Sequence, residues 1–89
     1  MKTFKDLQFK TLSDPYMQGK VSRVMFDNGW GASVVSHTFS YGGKSGLYEL
    51  AVLDSDGELH YDNSVAQGDV RGYLSEDVVT DLLIQIQKL

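Results

Sequence analysis

The sequence predicts an α+β fold, a four- to five-stranded antiparallel β-meander with one C-terminal α-helix packed on one face. Asn28-Gly29 and Asp56-Gly57 each separate two segments rich in apolar residues, and in that setting these dipeptides are strong hairpin signals. Residues 75–89 instead carry apolar side chains at helical spacing. At 89 residues the chain is expected to form a single domain, residues 1–89, with a core of its own.

The strands are expected in five short segments. Leu7 and Phe9 alternate with polar residues in the first segment, which ends where Pro15 and its polar neighbours favour a turn. A loop is expected after Asn63, because the alternation stops there and two glycines follow. The expected strands are 7–12, 21–27, 32–40, 47–54 and 58–62, with a glycine-rich connection at 41–46.

The C-terminal helix has the clearest signals of any element. Ser75 is a favourable N-cap, and Glu76 and Asp77 place negative charge in the first turn, where the helix dipole favours it. Lys88 places positive charge in the last turn. The apolar stripe expected to face the sheet consists of Val78, Val79, Leu82, Leu83, Ile86 and Leu89.

Hairpin loops of two residues, Asn-Gly and Asp-Gly, would fix the register of both hairpins. Val24 would then lie opposite Ser33, and Leu53 would lie opposite His60. The core side of the second hairpin would carry Tyr48, Leu50, Val52, Leu59 and Tyr61. Its other side would be a solvated acidic surface with Glu49, Ala51, Leu53, Glu58, His60 and Asp62.

Consecutive apolar residues in the first hairpin indicate that both faces of the sheet need cover. Val24, Met25 and Phe26 are adjacent in the sequence, as are Val34 and Val35. Because one helix covers only one face of a sheet, the second face must be covered by the N-terminal segment, by curling of the sheet or by another subunit. We expect a homodimer.

Composition argues against several classes of protein. The chain has no cysteine, so we expect no disulfide or thiolate metal site and a reducing compartment, the cytoplasm. Residues 1–44 carry six basic and three acidic residues, whereas residues 45–89 carry two and nine. We do not expect a nucleic-acid partner, because phosphate binding needs clustered Lys and Arg. Nor do we expect secretion or a membrane partner, since the sequence shows no leader and no apolar run of about 18 residues.

Three motifs resemble ligand sites but lack the necessary spacing. Gly43-Lys44-Ser45 resembles the end of a phosphate-binding loop, yet Thr38 stands where that loop needs glycine and a strand follows where it needs a helix. Residues 54–58 resemble a calcium loop, but Val65 occupies the place of the bidentate glutamate, so we expect a type I′ turn. The third motif comprises Glu58, His60 and Asp62, whose outer members would be about 13 Å apart on a strand, too far to share one metal ion.

We therefore expect this protein to bind no cofactor and no metal ion and to have no enzymatic activity. There is no nucleophile elbow, and His37, on a face with Val35 and Phe39, is expected to be half-buried and hydrogen-bonded rather than a general base. Trp30 lies between two glycines and Tyr41 opens the glycine-rich connection; aromatic residues in such positions are typical anchors of protein interfaces. The alternative for Trp30 is a cap folded over the edge of the sheet.

Three stretches, with the glycine-rich connection, resemble a known group of proteins. They are Phe-Asp-Asn-Gly-Trp-Gly-Ala-Ser-Val-Val at 26–35, Gly-Leu-Tyr-Glu-Leu-Ala-Val-Leu at 46–53 and Gly-Tyr-Leu-Ser-Glu-Asp-Val at 72–78. The chain resembles short uncharacterised proteins of tailed bacteriophages and prophages over residues 4–89. The resemblance implies an accessory phage protein in the host cytoplasm and assigns no catalytic residues.

We therefore expect a non-enzymatic accessory protein that binds another protein, such as a host defence or regulatory factor. The candidate partner-binding residues are Trp30, Tyr41, Glu49, Glu58, His60 and Asp62. The alternative is a small-ligand binder or minor enzyme with a site at a dimer interface, built from residues 42–45 with His37. A structural component of the virion is a third hypothesis.

Overall fold

The chain folds into one antiparallel sheet with a helix packed against it, which confirms the predicted α+β class. A computed structural model describes residues 1–89. The strands are β1 (Lys10–Asp14), β2 (Met17–Met25), β3 (Gly31–His37), β4 (Tyr48–Leu53) and β5 (Arg71–Leu74), followed by the helix α1 (Glu76–Gln87). Short 3-10 turns lie at Phe4–Asp6 and Gly43–Ser45. The strands neighbour one another in chain order, so the sheet is a five-stranded meander.

Helix α1 begins as its sequence predicts. The hydroxyl of Ser75 accepts a hydrogen bond from the backbone amide of Val78, which satisfies one of the free amides of the first turn. Four residues of the predicted stripe are buried, namely Val79, Leu82, Leu83 and Ile86. Val78 and Leu89, at the two ends of the stripe, are partly exposed.

The core lies between α1 and one face of the sheet. Tyr48, Leu50 and Val52 of β4 are buried there with the helix stripe, as predicted. The N-terminal segment packs on the same side: Phe4 lies against this core, and its amide donates to the Thr80 hydroxyl at 3.0 Å. The N-terminal segment therefore does not cover the opposite side of the sheet, which we call the outer face.

The first two strands differ from prediction in their limits. β1 begins at Lys10 rather than residue 7, and β2 begins at Met17 rather than residue 21. Pro15 and Tyr16 alone form the connection, because Asp14 pairs with Met17. The carboxylate of Asp14 accepts a hydrogen bond from the Tyr16 amide at 2.8 Å, which stabilises the turn. The polar cluster that indicated a long break is thus mostly strand.

The predicted register of the first hairpin is wrong by one residue. Val24 pairs with Ala32 rather than with Ser33. The loop has three residues, since Phe26 donates to the Trp30 carbonyl, and its third residue, Gly29, has a φ of 88°. This is a type I turn followed by a left-handed residue, the usual form of a three-residue hairpin loop.

The predicted register of the second hairpin is also wrong by one residue. Leu53 pairs with Leu59 rather than with His60, and the expected type I′ turn is a three-residue loop that ends in Gly57 at a φ of 78°. A slip of one residue exchanges the two faces of a strand. Leu59 and Tyr61 are consequently exposed instead of forming core, whereas Ala51 and Leu53 on the outer face are buried. The expected acidic surface is therefore not formed.

The fifth strand lies at 71–74 instead of the predicted 58–62. Residues 58–62 contribute a single bridge to the sheet, and the segment predicted to be a loop returns to pair with β4. Within that segment the side-chain Oδ1 of Asn63 accepts hydrogen bonds from the amides of Val65 and Ala66, and both of these residues are buried in the core. The loop is therefore ordered by its own side-chain contacts.

Candidate functional site

The six candidate residues do not form one surface. Glu49 lies near the start of β4, whereas Glu58 follows the turn beyond its end. The backbone amide of Asp54 donates to the carbonyl of Glu58, so Glu58 lies beside Asp54. Asp54 is five residues beyond Glu49 along the strand direction, which corresponds to a separation of about 16 Å. The candidates therefore divide between two ends of the sheet.

The first end is a cleft between the two hairpin turns. The rings of Trp30 and His60 meet edge to face with centroids 4.9 Å apart. A cavity of about 370 Å³ lies beside them, lined by Asn28, Gly29, Trp30, Asp54, Ser55 and His60. Trp30 also packs against the core and is only partly exposed. This arrangement corresponds to the alternative interpretation of Trp30 as a cap over the sheet edge.

Polar contacts hold His60 within this cleft. Its Nδ1 atom lies 3.1 Å from the side-chain nitrogen of Asn63, and its backbone amide donates to the Val52 carbonyl. Glu58 and Asp62 are exposed but do not line the cavity. No group of three or more His, Asp or Glu side chains is arranged to hold a metal ion.

The second end carries a pair of exposed tyrosines. Tyr41 and Tyr73 stack with ring centroids 6.5 Å apart and ring planes 27° apart. Their side chains remain 56% and 67% exposed, although tyrosine rings carry a large apolar area. We call these two residues the tyrosine pair. Phe39, two residues before Tyr41, is also exposed.

Backbone contacts from three segments fix the tyrosine pair. The Tyr73 amide donates to the Tyr41 carbonyl at 3.1 Å, and the Tyr41 amide donates to Oε1 of Glu49 at 3.3 Å. Gly72 allows the close approach, because a Cβ atom at that position would lie 2.5 Å from the Cβ of Tyr41. The half-buried side chain of Glu49 in β4 thus holds the backbone of Tyr41 in place.

Tyr73 has an unusual backbone conformation. Its φ is 56°, in the left-handed region that a bulky residue rarely adopts. It lies in a β-bulge, where Gly72 and Tyr73 together face one residue of β4. Bulges redirect side chains at sheet edges, and strained residues are concentrated at functional sites. The bulge turns the Tyr73 ring toward Tyr41 instead of continuing the alternation of β5.

The glycine-rich connection lies beside His37, as the small-ligand alternative requires. His37 is half-buried, and its Nδ1 accepts a hydrogen bond from the Phe39 amide at 3.2 Å. A Cβ atom at Gly43 would lie 1.9 Å from the His37 carbonyl oxygen, so the connection packs tightly on the backbone. None of the four surface cavities is lined by residues 37–47.

Tyr41 is predicted from the sequence as a partner-binding residue, whereas Tyr73 is not. The available signal was Arg-Gly-Tyr-Leu at 71–74, where Tyr73, a residue of high strand propensity, follows a glycine, and a glycine within a strand often marks a bulge. The fold and the tyrosine pair together define a small α+β domain that carries an exposed pair of stacked tyrosine rings. No protein family, curated protein or solved structure matches the chain. The structure has no helix of the length and apolar character needed to span a membrane.

Proposed function

We propose that this domain acts by binding another protein through the tyrosine pair. The observation that supports the proposal is that two large aromatic side chains stay more than half exposed while their backbones are fixed by hydrogen bonds. Interface hot spots are enriched in tyrosine. The two stacked rings form one contiguous exposed surface, which is typical of an interaction site, whereas a singly exposed ring such as that of Tyr16 needs no partner to explain it.

Preorganisation adds to this argument. Ordering a flexible side chain or loop on binding reduces affinity, and a surface that is already fixed avoids that cost. Tyrosine also has few rotatable bonds, so it provides a large contact area at low entropic cost. The stacked rings, the Glu49 contact and the close packing of Gly72 against Tyr41 all restrain the tyrosine pair before any partner arrives.

The nature of the partner follows from the resemblance stated above. An accessory phage protein would meet its partner in the cytoplasm of the bacterial host, and we propose a host protein as that partner. We also propose that the domain is a homodimer, because the N-terminal segment packs beside α1 and leaves the outer face without cover from that segment.

A capture experiment tests the proposal. The immobilised domain would be incubated with bacterial host lysate, alongside a variant that carries Tyr41→Ser and Tyr73→Asn. Asparagine is chosen for residue 73 because it tolerates a positive φ. The matched control is Tyr16→Ser, since Tyr16 is 83% exposed in the loop between β1 and β2, at the opposite edge of the sheet from β5.

The expected result is a protein retained by the wild type and by Tyr16→Ser but lost from the double variant. Circular dichroism should show that all three forms are folded, because the substituted side chains are exposed. Equal retention of every captured protein by the three forms would show that the tyrosine pair is not the binding surface.

A further inference from the structure

The two edge strands of the sheet differ in how they are protected. β5 has four residues, contains a bulge, and donates its Tyr73 amide to the Tyr41 carbonyl. These are devices by which proteins keep an edge from pairing with another chain. β1, at the other edge, has five residues and pairs with β2 in unbroken register from Lys10 to Asp14. Only β5 is therefore blunted by a bulge.

The free side of β1 offers backbone groups for pairing. In an antiparallel ladder, alternate residues of an edge strand direct their N–H and C=O groups away from the neighbouring strand. β1 contains no proline and no bulge, and four of its five residues are exposed while Leu12 is half-buried. The unpaired backbone groups of this edge are a template for strand addition, and its short length and its lysine restrict that addition to a strand of complementary charge.

The sequence of β1 is complementary to itself in the antiparallel direction. In Lys-Thr-Leu-Ser-Asp, pairing centred on Leu12 places Lys10 opposite Asp14 of a second copy and Thr11 opposite its Ser13. Opposite charges and hydroxyl pairs at facing positions stabilise antiparallel strands. The twofold axis repeats both contacts, as an isologous interface requires. Asp14 uses Oδ1 for the Tyr16 amide, which leaves Oδ2 for the lysine.

We propose that a second copy of this chain pairs with β1 along Lys10–Asp14, joining the two sheets into one of ten strands. The inference deepens the homodimer proposed above, but it is argued from the free edge of β1 and not from the outer face, which edge pairing leaves uncovered, and it does not rest on the tyrosine pair. Residues that face each other across an antiparallel pair point to the same side of the sheet, so both helices would lie on one side. The two tyrosine pairs would then lie at the outer ends of the sheet, roughly 40 Å apart at the usual strand spacing, and could engage two partners.

Cysteine cross-linking tests the register. The chain has no cysteine, so a single substitution provides the only thiol in each copy. Leu12→Cys should form an intermolecular disulfide under oxidising conditions, because the two residues at position 12 face each other at a Cα separation suited to the bond. Thr11→Cys is the control: residue 11 is more exposed than Leu12 but faces Ser13 of the second copy, so it should cross-link at least about tenfold more slowly.

Charge reversal tests the contact between Lys10 and Asp14. Lys10→Glu should weaken dimerisation by about tenfold, because two attractive contacts become repulsive across the twofold axis. Lys5→Glu changes the net charge equally at an exposed position outside β1 and should leave dimerisation unchanged. Solution mass by light scattering, measured from about 1 µM to about 1 mM, gives the dissociation constants.

The outcomes separate the proposed interface from the homodimer itself. A dimer that is weakened by Lys10→Glu and cross-linked rapidly through Leu12→Cys supports the pairing of β1. A dimer in which both β1 variants behave like their controls overturns this interface while the homodimer stands. A monomer over the whole concentration range overturns both, and leaves the tyrosine pair to be judged by the capture experiment.

Discussion

Asn28 connects the first hairpin turn to the end of the helix, and its replacement should destabilise the domain. Its side-chain nitrogen donates to the Ile86 carbonyl in the last turn of α1 at 2.9 Å. Its side-chain oxygen accepts from the Trp30 amide at 3.1 Å. Asn28→Ala removes both hydrogen bonds, one of which joins residues 58 positions apart in the sequence.

The expected magnitude follows from these two contacts. A hydrogen bond contributes about 0.5–1.5 kcal/mol net, so Asn28→Ala should lower the free energy of unfolding by about 1–3 kcal/mol. Asn28→Asp keeps the acceptor for Trp30 but loses the donor to Ile86. It also places a negative charge at the helix C-terminus, which costs about 0.3–1 kcal/mol more and is screened by salt. Its destabilisation should therefore decrease in high salt, whereas that of Asn28→Ala should not.

Urea denaturation provides the assay. Trp30 is the only tryptophan, so its fluorescence and the far-ultraviolet circular dichroism should report the same transition with an unchanged slope. Asp27→Asn is the control, since Asp27 is an exposed neighbour in the same turn, and it should stay within about 0.5 kcal/mol of the wild type. An Asn28→Ala variant as stable as this control would refute the role assigned to the turn–helix contact.

Two further comparisons test the packing of the fold. Leu83 is fully buried, so Leu83→Ala should lower the free energy of unfolding by about 2–5 kcal/mol. Leu59 is 51% exposed, so Leu59→Ala should lower it by less than about 1 kcal/mol. Equal losses in chemical denaturation would contradict the face assignment of the second turn. Gly57→Ala should lower the free energy of unfolding by roughly 1 kcal/mol, because residue 57 has a positive φ. Gly19→Ala should lower it clearly more, because the added Cβ would lie 2.1 Å from the Ser36 carbonyl oxygen. A smaller loss at Gly19 than at Gly57, measured by thermal unfolding, would contradict the close pairing of β2 with β3.

The elements that sequence reasoning located best are those with local signals. The helix has an N-cap, acidic residues in its first turn and a regular apolar stripe, and it forms where expected, except that Lys88 is the C-cap instead of a residue of the last turn. The alternation of Tyr48, Leu50 and Val52 likewise identified the buried face of β4. In both cases the information is contained in a few consecutive residues, so it can be recognised without knowledge of distant contacts.

The register could not be derived in the same way. Asn-Gly and Asp-Gly are compatible with two-residue and three-residue loops, and a difference of one residue exchanges the faces of the following segment. His60 consequently lies beside Trp30 instead of facing outward with Glu58. Three of the six candidate residues, Glu58, His60 and Asp62, lie on this exchanged segment, which is why the predicted acidic surface does not exist.

The tyrosine pair depends on contacts that are distant in the sequence. Tyr41 and Tyr73 are brought together by the return of β5 to β4, by the bulge and by the small size of Gly72. The segment before β5 shows no alternation because Asn63 orders it through side-chain contacts to the backbone. Its buried residues, Val65 and Ala66, were therefore not recognised as core.

Titration calorimetry with the captured partner, once purified, tests the proposed role of the tyrosine pair most directly. The dissociation constant would be measured for the wild type, for Tyr16→Ser and for the double variant with Tyr41→Ser and Tyr73→Asn. We expect the first two to agree and the double variant to bind at least about tenfold more weakly, a loss of about 1.4 kcal/mol or more. Equal dissociation constants for all three proteins would contradict the claim that this domain binds its partner through the tyrosine pair.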